Sequence, residues 1–149
     1  MTRTSGRYFD LAMLGLIVVL TLSTGFIHFF KVGGMMLMLN GLGYAGLAVL
    51  VVGSALFYRR ALPLVLVALA AYAAVTIVGW LILGPYFDLA YLAKGIEIVL
   101  IGSISFYMWR TRPQIDESVA WARALVTRVL GRSRGSSAAS AAPKAANEE

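Results

Sequence analysis

Lys94 and Glu97 stand three residues apart in AYLAKGIEIVL, residues 90–100, a run that otherwise reads as membrane-spanning. A charge at the centre of a bilayer costs ~3 kcal/mol on insertion scales, so ionisable residues there mark functional sites by default. Two chemistries suit the pair. A carboxylate near the midplane can handle a proton or a cation. Alternatively, Lys94 neutralises Glu97 and the two form a buried structural pair. Lysine followed by glutamate is the weaker order for a local helical pair. Glu97 therefore needs a further source of stabilisation: a neighbouring helix, water or protonation.

Depth along each helix picks out the other groups able to meet them. Lys94 is six residues past Asp88 (~9 Å) and Glu97 nine (~14 Å), close to the midplane. Side chains on a helix lean toward its N-terminus, so Lys94 can snorkel outward and Glu97 leans back toward it. At matching depths on the other helices lie two polar layers. The upper layer is His28, Asn40, Trp80, Tyr91 and Lys94; the lower is Thr24, Tyr44, Thr76 and Glu97. The opposite half offers only Asp10, Ser54, Ser103 and Ser105. The sequence therefore predicts a shallow, outward-opening polar pocket formed by His28, Asn40, Tyr44, Thr76, Trp80, Tyr91, Lys94 and Glu97.

Each of these residues also has a plainer reading. His28, the sole histidine, suits an interfacial hydrogen bond near a helix end. It cannot by itself supply a two-histidine haem site. Asn40 suits a helix-to-helix hydrogen bond. The chain has no cysteine, which removes disulfides, thiolate metal sites and cysteine nucleophiles. G-x-S-x-G, H-E-x-x-H and phosphate-binding glycine loops are all missing. No enzyme, metal site, cofactor or nucleic-acid partner is implied.

The elements that must carry these residues follow from composition. Of 149 residues, 60% are hydrophobic and 13% charged, against about a quarter charged in soluble domains. Four apolar blocks each match the ~20 residues that cross a bilayer core. Helices are predicted over about 8–30, 35–58, 61–84 and 88–109, forming a transmembrane domain over 1–110. Connections this short make neighbours antiparallel. The expected fold is all-α: a polytopic four-helix transmembrane bundle with a C-terminal amphipathic interfacial helix. Gly43, Gly46 and Gly53 on the second helix and the alanines of the third are the expected close-packing surfaces. The first block reads as a retained helix; it is longer than a signal-peptide core and no small-x-small site closes it.

Arginine placement sets the expected orientation. Arg3, Arg7, Arg59, Arg60, Arg110 and Arg112 fall on one side, and Lys31 and Asp88 on the other. By the positive-inside rule this predicts a multi-pass protein of the cell membrane with both termini cytoplasmic. Residues 113–131 carry apolar positions at helical spacing, including Val119, Ala122 and Val126, flanked by arginines. They predict an amphipathic helix on the cytoplasmic leaflet, with Arg123, Arg128, Arg132 and Arg134 contacting anionic lipid. A short helix packed on the bundle's own loops is the alternative. Residues 132–149 read as a disordered tail.

TGFIHFF at 24–30, LNGLGY at 39–44 and YLAKGIEIVLI at 91–101 resemble a family of small, uncharacterised four-helix integral membrane proteins of bacteria and archaea. The resemblance covers roughly residues 8–110. It implies that the recurrent polar positions of that family match His28, Asn40, Tyr44, Lys94 and Glu97, and it supplies no activity. The expected function is non-enzymatic: binding of a protein partner or lipid, or tuning of a larger membrane complex. The alternative is an oligomeric transporter or channel component, with Glu97 handling protons or cations.

Overall fold

The structure is a computed structural model that describes residues 3–31, 34–84, 86–112, 116, 119–124 and 126–128. Four helices run in sequence: α1 (Arg3–Phe26), α2 (Met35–Phe57), α3 (Leu62–Leu83) and α4 (Asp88–Arg110). All four are long and apolar enough to cross a membrane. The described part of the chain contains no strand, as the all-α reading expects. α1 starts at Arg3, before the expected 8.

Two local features set the helix boundaries. α1 does not stop at Phe26 but loosens into a π-helical turn, Ile27–Lys31. π turns are rare and concentrate at functional sites. Gly34 then opens α2 with φ of 92°, a left-handed value that favours glycine. Its carbonyl accepts the N–H groups of Leu37 and Met38, both at 3.1 Å. Pro63 lies in the first turn of α3, where a missing N–H costs nothing.

α1 packs on α2 and α4, and α3 packs on the same two. The result is a square, antiparallel bundle. Each helix turns one seam inward. On α1 the buried positions include Ile17, Thr21, Thr24 and His28; on α3, Leu62, Leu66, Leu69 and Ala73; on α4, Glu97, Leu100, Ile104 and Tyr107. Steps alternating between three and four residues are the signature of helices packed along a common left-handed seam. Leu, Val, Phe and Met side chains cover the outer faces of all four helices, as lipid contact requires.

The close α1–α2 contact is made by glycines other than the expected ones. A Cβ on Gly41 would lie 2.7 Å from the Gly25 carbonyl oxygen and 2.9 Å from Phe29 N, both backbone atoms. Gly46 and Gly53 face open space, and Gly43 lies against the Tyr72 ring. The seam runs through Gly41, Tyr44, Ala48 and Val51, which rotates Gly46 and Gly53 away from it. On α3, Ala73 is buried while Ala68, Ala71 and Ala74 are exposed.

Beyond α4, the described residues 112, 116, 119–124 and 126–128 are helical, and Val119, Arg123, Val126 and Arg128 are exposed. The rest of the predicted amphipathic segment, with Arg132 and Arg134, and the predicted tail lie outside the described residues.

Candidate functional site

The four helices meet at one carboxylate. Glu97 is 0% exposed. Lys94, one turn earlier on α4, places Nζ 2.7 Å from its Oε2. Thr76 on α3 donates to the same oxygen at 2.9 Å. Thr24 on α1 donates to Oε1 at 3.3 Å. α2 joins through Tyr44, whose hydroxyl lies 2.9 Å from Thr76 Oγ1.

The protons in this cluster can be assigned by counting donors. Thr76 has one hydroxyl proton and two acceptors, Glu97 and its own Ala73 carbonyl at 2.8 Å. A proton given to Glu97 leaves Thr76 Oγ1 free to accept from Tyr44. This makes a chain in which each hydroxyl donates once: Tyr44 to Thr76, Thr76 to Glu97. An ionised carboxylate selects this arrangement, because the other would turn hydroxyl lone pairs toward it.

His28 lies in the π-helical turn, and the turn directs it inward. Its Nδ1 is 2.8 Å from the Thr24 carbonyl oxygen. A carbonyl only accepts, so Nδ1 carries a proton. Nε2 then faces Glu97 Oε1 at 3.8 Å, longer than a hydrogen bond. The imidazole therefore stands beside the carboxylate without being tied to it. Its ring also lies 5.9 Å from that of Tyr44.

Of the eight residues predicted to line an outward-opening pocket, five come together: His28, Tyr44, Thr76, Lys94 and Glu97. Asn40 and Tyr91 do not join the carboxylate through any described hydrogen bond. Asn40 accepts the Tyr72 hydroxyl through its backbone carbonyl, at 3.2 Å. Trp80 packs edge-on against Tyr86 and Tyr91, with ring centroids 5.4 and 5.2 Å away. Tyr91 is 54% exposed. The opening itself is corrected too. Lys94 is 6% and Glu97 0% exposed, so the cluster is closed, because hydroxyls and the ammonium occupy the space around the carboxylate. Among the described residues, no side-chain nitrogen or oxygen wholly shut off from solvent lacks a partner.

The large cavity lies at the other end, the basic one, where α1 begins and α4 ends. It measures about 820 Å³ and draws its wall from all four helices, through Arg7, Asp10, Leu14, Ala55, Leu62 and Tyr107 among others. Arg59, in the turn between α2 and α3, also lines it. Asp10 is held by Arg110, Nε to Oδ1 at 2.9 Å, and the Arg110 guanidinium lies 4.4 Å over the Phe9 ring. Sequence reasoning counted these arginines for orientation only. Asp10 and Arg110 are a hundred residues apart, and no pattern in the chain announces that they meet.

Among the described residues no group of His, Asp or Glu side chains is arranged to hold a metal ion. No protein family, curated protein or solved structure matches the chain.

Proposed function

We propose that this chain is a multi-pass protein of the cell membrane, with both termini cytoplasmic, that acts without catalysis. It binds a lipid or a membrane-protein partner, or tunes a larger membrane complex. One observation carries this reading: the deepest ionisable groups satisfy one another. Lys94, Thr24 and Thr76 take up the Glu97 oxygens, which closes that carboxylate to a substrate. The hydroxyls of Thr24 on α1 and Thr76 on α3 bond the carboxylate of α4, and polar contacts of this kind hold membrane helices together. The exposed arginines of the C-terminal helix, Arg123 and Arg128, suit contact with anionic lipid. Native chain extracted in mild detergent is expected to carry lipid or a partner on native mass spectrometry. A chain that runs strictly alone, and binds liposomes equally with and without anionic lipid, contradicts the proposal.

The rival reading is an oligomeric transporter or channel component. It is favoured by the row of His28, Lys94 and Glu97, three ionisable groups at membrane depth. Flux in proteoliposomes that depends on pH and is abolished by Glu97→Gln supports the rival. Absence of flux under proton and cation gradients supports the binding reading.

A further inference from the structure

We infer that the cavity at the basic end is a binding site for an anionic phospholipid of the adjoining leaflet, its phosphate held between Arg7 and Arg59 and its apolar part lying among Leu11, Leu14 and Leu56. This deepens the binding reading above and rests on it.

Charge is the first ground. Arg7 and Arg59 line the cavity from two different elements, the first turns of α1 and the α2–α3 connection. Among the described residues neither has an ion-pair partner. The one acidic residue of the wall, Asp10, is already paired with Arg110, so it does not cancel them. Two arginines lining one cavity suit a phosphate ester, which guanidinium recognises by bidentate hydrogen bonds.

Polarity along the cavity is the second ground. From Arg7 to Leu14 the wall passes from charged to apolar over seven residues, ~10 Å along the helix axis. Leu11 and Leu56 continue the apolar side, and Tyr107 stands at the polar side. Among the described residues the Tyr107 hydroxyl has no hydrogen-bond partner, so it has a proton to give a ligand oxygen. A charged rim above an apolar wall is the shape of an amphiphile seated at the membrane surface. A free phosphate would use only the rim. At about 820 Å³ the space lies within the ~300–1,000 Å³ of small-molecule sites.

The site is separate from the arginines predicted to touch lipid beyond α4. Neither Arg123 nor Arg128 lines it.

The test uses the full chain in neutral detergent, with binding read by native mass spectrometry and by thermal melting. The probes are phosphatidylglycerol, phosphatidylcholine and glycerol 3-phosphate. Phosphatidylglycerol is expected to bind about 30-fold more tightly than phosphatidylcholine, the worth of two arginines at a membrane surface. Arg7→Gln with Arg59→Gln is expected to remove most of that preference, and Arg60→Gln, an exposed arginine that does not line the cavity, to leave it unchanged. Arg7 and Arg59 are exposed, so their replacement leaves the core intact. The inference is overturned if the two lipids bind alike, or if the Arg7/Arg59 variant keeps the preference. It is also overturned if glycerol 3-phosphate alone gives the same stabilisation, which would mark an anion site and no lipid site. In each of those outcomes a chain that still carries lipid or a partner leaves the broader binding proposal standing.

Discussion

In the far half of the bundle, Glu97 is wholly buried and accepts from Lys94, Thr24 and Thr76. At the basic end, Arg7 and Arg59 line a cavity of about 820 Å³, and among the described residues no ion pair holds them. The difference follows from depth. A charge near the midplane has no water to turn to, and an unpaired one there is costly. Its partners must come from the protein, and they fill the space around it. Charges at the interface keep their hydration and can remain apart, so a cavity between them survives. Ionisable groups deep in a bundle this small therefore read as ties between helices, and the ones near its surface as places for a ligand.

Substitutions at the two ends should separate sharply in size. Glu97→Leu leaves Lys94 buried without its partner and is expected to cost about 3–5 kcal/mol, read as folded yield or as melting in detergent. A loss comparable to that of a surface substitution would remove the distinction between the ends. Gly41→Leu comes next. Its Cβ meets the backbone at Gly25 and Phe29, which cannot step aside, so overpacking of about 1–3 kcal/mol is expected in the same melt. The matched change Gly46→Leu points into open space and should be close to neutral.

Thr76→Val takes one donor from Glu97 and the acceptor from Tyr44. It should cost about 1–3 kcal/mol, the penalty for leaving buried polar atoms unmatched. Tyr44→Phe should cost less, since Thr76 retains its bond to Glu97. Smallest of all is Arg7→Gln with Arg59→Gln in lipid-free detergent, expected within about 0.5 kcal/mol because both side chains are exposed. A large loss there would mean that the basic end is held together by these arginines as the far half is by Glu97.

Much of the closed cluster was legible in the chain. Two charges in an apolar run single out Lys94 and Glu97, and helical rise places Tyr44, Thr76 and His28 at their level. Depth, however, gives height and not rotation. Asn40 and Tyr91 share the level of the cluster without turning to the carboxylate, and Gly46 and Gly53 lie on the wrong side of α2. The π-helical turn that holds His28 has no signature in Ile27–Lys31, because one added residue per turn is a response to packing. The cavity was hidden for another reason. Its wall joins residues from both ends of the chain, and Asp10 looked like an isolated acid until Arg110 stood beside it.

The most direct test that the buried charges of the cluster satisfy one another is a double-mutant cycle in the melting of Glu97→Leu, Lys94→Leu and the two together. A buried, mutually satisfied pair predicts that the double variant is more stable than Glu97→Leu alone, because no charge is left without a partner. A double variant less stable than that single one, with the two losses simply adding, would contradict it.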